Sequence, residues 1–289
     1  KIRINHMKVG FVGLGNVGSK LAGSLLRNGY EVMVRDLNAA FVADFLALGA
    51  SAADSPKQLA QACDIIITCL PSPAACSAVM EGTSTEEGII AGLSDGKIWL
   101  EMSTTDESEI RRIGALVKAA GAEPVDCPVS GGCHRADTGN ISIFAGCSRA
   151  VFERALPVLT TLGRRVLHTG ELGTASKLKV VTNYLATAHL VALSEALTAC
   201  KVMDLDMNVS YEAIKASSGN SFVHETESQV ILNGSRDINF TVDLVLKDVG
   251  LFNTLTKREG MKLDLAPLLV DIFSQAQDEF GPREKSPNI

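Results

Sequence analysis

The hexapeptide Gly13-Leu14-Gly15-Asn16-Val17-Gly18 lies between an apolar run, Lys8–Val12, and a stretch in which Val17, Leu21, Leu25 and Leu26 recur at helical spacing. Glycines in this G-x-G-x-x-G pattern serve three ends. The first permits a tight turn, the second lets the backbone approach a pyrophosphate, and the third lets helix and strand pack closely. The helix start adds unpaired N–H groups and the positive end of a dipole. Alone the pattern is also that of an ordinary glycine-rich turn; between a strand and a helix it points to dinucleotide binding. Asp36, at the end of the next apolar run, is placed to accept both ribose hydroxyls and to repel a 2′-phosphate, which favours NAD; the neighbouring Arg35 is of a type that accommodates that phosphate, which keeps NADP open.

Four further sets of residues carry chemical potential. Leu70-Pro71 and Ser103-Thr104 each follow an apolar run, and the carboxyl ends of strands are where open α/β sheets hold ligands; each alone reads equally as plain loop. Asp126-Cys127-Pro128-Val129-Ser130-Gly131-Gly132 offers backbone N–H groups at a helix start, suited to a carboxylate or phosphate, and reads equally as a tight turn. Lys179 and Asn183 are four apart in a long apolar segment and so share a helix face, whereas Lys177 points elsewhere. A lysine there either snorkels or works. Burial beside a cationic nicotinamide ring would lower its pKa and let it exchange a proton near neutral pH. Lys247-Asp248 has no local signature and reads as a surface pair, and His134 as an exposed loop residue.

The elements that must position these groups alternate through the first half: strands at 8–12, 32–35, 65–70, 98–102, 122–125, 141–145 and 165–168, helices at 16–27, 39–48, 107–120 and 149–162. Strands apolar on both faces and separated by helices predict a doubly wound, mostly parallel sheet. Strand signals stop near residue 170. Residues 174–202 then form a helix of about 40 Å at 1.5 Å per residue, apolar nearly all round and so expected to be buried. Helical patterns follow at 209–216, 222–232, 242–259 and 265–279. The organisation is therefore α/β: an N-terminal Rossmann domain over 7–169, and an all-helical domain over 170–289 joined to it by the long helix. Residues 282–289 are polar and read as a frayed or truncated tail. Residues 1–6 read as a leader from a cloning junction ahead of Met7.

Composition narrows the function classes. The 289 residues are 46% hydrophobic, ample for a packed core. Net charge is −6, without a Lys/Arg cluster, which disfavours nucleic acid. No run of 18 uninterrupted apolar residues occurs, so no membrane span is expected. The seven cysteines are irregularly spaced and include no C-x-x-C, which predicts a reduced, cytoplasmic protein without a zinc site, other metal site or disulfide framework.

Together these features resemble the β-hydroxyacid dehydrogenase family, the 3-hydroxyisobutyrate dehydrogenase group, whose C-terminal domain is like that of 6-phosphogluconate dehydrogenase. The resemblance runs from Gly10-Phe11-Val12-Gly13 to Gly18, through Leu70-Pro71, Ser103-Thr104, the Asp126–Gly132 segment, Thr138-Gly139-Asn140, Gly173 to Lys179 and Asn183, Ser218-Gly219 and Lys247-Asp248. It implies Lys179 as the catalytic lysine, with Ser130, Gly131, Gly132 and Asn183 as ligands of a small carboxylate substrate. It implies Gly13, Leu14, Gly15, Asn16, Val17, Gly18, Asp36, Leu70, Pro71, Thr104 and Lys247 as contacts of NAD or NADP, and a homodimer or homotetramer. The implied reaction is hydride transfer between the cofactor and a small β-hydroxy acid. Reduction of a semialdehyde, or a non-enzymatic dinucleotide-binding scaffold, are the alternatives. Two residues depart from the family pattern: Ala175 replaces a second glycine before the lysine, and Cys127 replaces an alanine.

Overall fold

The computed structural model describes residues 7–288, apart from the side chains of Cys133 and His134; the readings of residues 1–6 and of His134 fall outside this set. The chain divides into two compact units, one ending at Lys179 and the other starting at Val180. The division thus falls inside the long helix rather than ahead of it.

Among the described residues the first unit holds a nine-stranded sheet. Its strands are β1 (Lys8–Val12), β2 (Glu31–Arg35), β3 (Ser51–Ala52), β4 (Ile65–Thr68), β5 (Ile98–Glu101), β6 (Glu123–Asp126), β7 (Val129–Ser130), β8 (Ile141–Gly146) and β9 (Gly163–Gly170). The order is β3-β2-β1-β4-β5-β6-β8-β7, with β9 beside β8. Pairing is parallel from β3 to β6, antiparallel where β8 meets β6 and β7, and parallel again at β9. The order reverses between β1 and β4, the switch point at which doubly wound sheets take ligands.

The helices of this unit are α1 (Gly18–Arg27), α2 (Ala39–Ala47), α3 (Pro56–Ala62), α4 (Pro73–Glu81), α5 (Glu107–Ala119), α6 (Gly132–Asp137), α7 (Arg149–Leu162) and the first turns of α8 (Thr174–Val202). Central strands alternate between two cores. Ile65, Ile67, Ile98 and Leu100 pack with Phe11, Leu21 and Leu25 on one side, whereas Ile66 and Trp99 pack with Leu59 and Ile113 on the other. This period-two division of wholly buried strands is what covering both faces requires. Periodicity missed α3 and α4. Both begin with a serine N-cap followed by proline, Ser55-Pro56 and Ser72-Pro73, whose hydroxyls accept from Gln58 N (3.1 Å) and Ala75 N (3.2 Å).

The second unit contains the rest of α8 with α9 (Met207–Ala216), α10 (Phe222–Leu232), α11 (Val242–Arg258) and α12 (Leu265–Phe280). Val242, Val245 and Val249 of α11 bury against Phe273 and Ala276 of α12, and Tyr184 stacks on Phe252 at 4.0 Å. The expected frayed tail is instead tied down. Val242 N donates to Glu284 O at 2.8 Å and Ser286 N to Phe240 O at 2.9 Å, with Ser286 and Pro287 buried. Backbone pairing, invisible to a polarity reading, holds the segment.

Helix α8 departs from the expectation of burial. Leu178, Val181 and Leu185, one face at i, i+3 and i+7, are 44%, 41% and 50% exposed. An 18-residue window of the helix reaches a mean hydropathy of 1.2, enough by length and composition alone to cross a membrane.

Candidate active site

The glycine-rich turn is shaped by close approach. A Cβ on Gly13, whose φ is +97°, would lie 2.2 Å from Cys69 O, and one on Gly18 would lie 2.0 Å from Gly13 O. At Gly15 nothing lies within 4 Å, so the turn is open where a pyrophosphate would sit. Helix α1 follows with no side-chain cap on its first amides. The Asp36 carboxylate is fixed at this turn: Oδ2 accepts from Leu14 N at 2.6 Å and Oδ1 from Asn38 N at 2.8 Å. Gly13, Leu14 and Asp36 are thereby brought together, with Gly15, Asn16 and Val17 on the rim. The arrangement fits a nicotinamide dinucleotide, with backbone amides for the phosphates and a carboxylate for the ribose.

Arg35 is committed elsewhere. One arm of its guanidinium donates to Asp54 O at 2.8 Å and Ala53 O at 3.4 Å, and the other pairs with Glu86. The intervening position beyond Asp36, Leu37, is 98% exposed and apolar.

The loops after β4 and β5 are joined. Leu70 N donates to Ser103 Oγ at 2.7 Å, and Ser103 N to Glu101 Oε1 at 2.7 Å. The other Glu101 oxygen accepts from Thr68 Oγ1 at 2.8 Å, which accepts in turn from Trp99 Nε1 at 2.9 Å. Glu101 is fully buried, and that burial raises its carboxyl above the usual range despite the Ser103 and Thr68 hydrogen bonds. Leu70, Pro71 and Thr104, half-buried to exposed, thus stand on a scaffold set by buried polar groups. Sequence reasoning missed Glu101. The available signal was an acidic residue closing a strand otherwise made of Ile98, Trp99 and Leu100.

Beyond β6, Val129-Ser130 forms β7, and Gly131 (φ +125°) and Gly132 (φ +78°) turn the chain into α6. Ser130 and Gly131 are half-buried and Gly132 exposed, so their backbone is accessible. Lys179 is 7% exposed, a position at which a charged amine has to be accounted for. Lys177 points to the other side of α8, its Nζ 3.8 Å from Glu107.

In the helical unit Asn183 Nδ2 donates to Asp248 Oδ2 at 2.5 Å, and Lys247 Nζ lies 2.9 Å from Asp248 Oδ1. Asp248 is 2% exposed. The pair read as a surface feature is therefore a buried carboxylate orienting two of the expected site residues. A loop-free helix interior gives no local sequence signal for such a contact.

Residues 8–170 match the family described as the NAD binding domain of 6-phosphogluconate dehydrogenase, and residues 173–287 the family described as the NAD-binding domain of NADP-dependent 3-hydroxyisobutyrate dehydrogenase. The chain is 34% identical over 268 residues to 2-(hydroxymethyl)glutarate dehydrogenase of Eubacterium barkeri, covering 92% of this chain and 88% of that one. It is 30% identical over 273 residues to 3-sulfolactaldehyde reductase of Escherichia coli, covering 93% and 90%. The crystal structure of a 3-hydroxyisobutyrate dehydrogenase from Salmonella typhimurium superposes with a TM-score of 0.86 at 28% identity, covering 97% of this chain and 98% of that one. The chain belongs to the β-hydroxyacid dehydrogenase family, the 3-hydroxyisobutyrate dehydrogenase group of NAD(P)-dependent oxidoreductases.

Proposed function

We propose that the protein reversibly oxidises a small β-hydroxy acid with NAD, and that Lys179 moves the hydroxyl proton. The cofactor, when bound, takes or returns the hydride. Gly13 to Gly18 hold its phosphates, Asp36 its ribose, and Leu70, Pro71 and Thr104 line its path. Ser130, Gly131 and Gly132 offer N–H groups to the substrate carboxylate, and Asn183, oriented by one N–H of its amide on Asp248, offers the other N–H to the oxygen of a substrate hydroxyl. Lys179 accepts the proton of that hydroxyl in oxidation and donates it in reduction.

The observation that carries this reading is the burial of Lys179 on a helix one turn before Asn183, in a chain that also builds the glycine cradle. The fixed Asp36 and the engaged Arg35 support NAD over NADP. The exposed Leu178–Val181–Leu185 stripe supports a homodimer or homotetramer in which a second copy covers α8; the buried thiols of Cys63, Cys76, Cys127 and Cys147 support a reducing, cytoplasmic setting.

A panel of three- to six-carbon hydroxy acids, assayed with NAD and NADP, tests the activity. Turnover of at least one is expected, and none with any member contradicts the reading. The second reading, semialdehyde reduction, draws on the similarity to a sulfolactaldehyde reductase; rates in both directions decide between the two.

A further inference from the structure

The Asp126 carboxylate closes β6, immediately before the Cys127-Pro128-Val129-Ser130 segment, yet it reaches the start of α8, accepting from the residue ahead of that helix and from its first turn. Oδ1 accepts from Gly173 N at 2.8 Å and Oδ2 from Ser176 N at 2.7 Å. It is a helix cap delivered from a distant strand, satisfying two amides at the start of the helix that carries Lys179. The side chain is fully buried, and burial raises its carboxyl above the usual range while the Gly173 and Ser176 amides pull it back. Space for it is made by Gly146, the residue it faces across the β6–β8 pair: a Cβ there would lie 2.3 Å from Asp126 Oδ1. The adjoining Cys147 N donates to Gly170 O at 2.8 Å, so the approach to α8 is fixed on both sides of this glycine.

We propose that Asp126 is a positioning residue that sets the register and tilt of α8, and so the placement of the Lys179 amine relative to the Ser130-Gly131-Gly132 segment. One carboxylate links the two parts of the first unit that must meet at the reacting group, because the strand end leading to the anion-binding backbone is also the cap of the lysine's helix. A misplacement of about 1 Å between reacting groups lowers turnover by about 10²-fold. The inference rests on Lys179 being the proton-transfer group.

The test compares Asp126→Asn, Gly146→Ala and Lys179→Met with the parent enzyme, measuring kcat, KM for the hydroxy acid, NAD affinity by titration, and Tm. Asp126→Asn keeps the size but presents an amide nitrogen to an N–H donor. Gly146→Ala leaves Asp126 in place and displaces its carboxylate, so it serves if the first variant folds poorly. Both are expected to lose about 10–100-fold in kcat with NAD affinity unchanged, since the cradle at Gly13–Gly18 and Asp36 is remote in the sheet. Asp126→Glu should not rescue, its longer side chain having no room beside Gly146. If Lys179→Met is inactive while a folded Asp126→Asn or Gly146→Ala variant keeps parental kcat, the inference is wrong and the Lys179 reading stands. If Lys179→Met keeps parental kcat, that reading falls and takes the inference with it. Loss of NAD affinity in parallel with kcat would show a general structural role and also overturn the proposal.

Discussion

The Ser103 hydroxyl accepts the Leu70 backbone N–H at 2.7 Å, tying together the two loops that follow the adjacent strands β4 and β5. Ser103 itself is 3% exposed and is held by the fully buried Glu101. The backbone of these two loops is thus placed by a short chain of buried polar contacts, each with a partner, which is how polar groups are retained inside a core.

Replacing Ser103 by Ala leaves the Leu70 N–H without its acceptor in a half-buried loop. The expected cost is about 1–3 kcal/mol of stability, accompanied by weaker NAD binding. Thermal unfolding and NAD titration check this; an unchanged NAD affinity would separate the loop contact from cofactor binding.

Cofactor preference follows from charges that are already engaged. The protein is expected to favour NAD over NADP by more than about tenfold in kcat/KM, or about 1.4 kcal/mol. Glu86→Gln, which releases one arm of Arg35, should narrow the ratio, and Asp36→Ala combined with it should narrow it further. Equal use of both cofactors by the parent enzyme would contradict the assignment of Asp36.

Asn183 donates to Asp248 at 2.5 Å, so a second carboxylate at this position would face a like charge in a buried setting. Asn183→Asp should therefore be less stable than Asn183→Ala, by about 1–3 kcal/mol. Melting curves of the two variants measure it. The reverse order of stability would mean that the carboxylates separate.

Glu227 on α10 provides a pH dependence with a defined sign. Burial pushes its carboxyl up to about 7 from an ordinary 4.5, and Oε2 is buried without a hydrogen-bond partner. Between these values the folded protein holds a proton that the unfolded chain has lost, so stability falls as pH rises from about 4.5 to about 7 and is level beyond. Glu227→Gln should remove this slope and raise stability at pH 8 by about 1–3 kcal/mol. Parallel stability curves for the two proteins would show that Glu227 is solvated.

Much of this was legible in the sequence because it is local. The glycine turn, Asp36 at the end of β2 and the Lys179–Asn183 spacing are set within a few residues by backbone sterics and helix geometry. The central strands β1, β4 and β5 were legible because burial on both faces makes them nearly continuously apolar, whereas the two-residue β3 and β7 were missed because they offer no such run. The roles of Glu101, Asp126 and Asp248 were not, since each is a buried carboxylate whose meaning lies in a partner far along the chain: Thr68 for Glu101, Gly173 and Ser176 for Asp126, Asn183 for Asp248. The exposure of Leu178, Val181 and Leu185 was likewise out of reach, because composition reports that a helix is apolar and not what covers it.

Single-turnover oxidation of an accepted hydroxy acid by Lys179→Met measures whether the Lys179 amine takes the substrate proton. A loss of about 10²–10⁴-fold in the hydride-transfer rate is expected, with NAD affinity and Tm close to those of the parent. Hydride transfer at the parental rate in a folded, NAD-binding variant would contradict it.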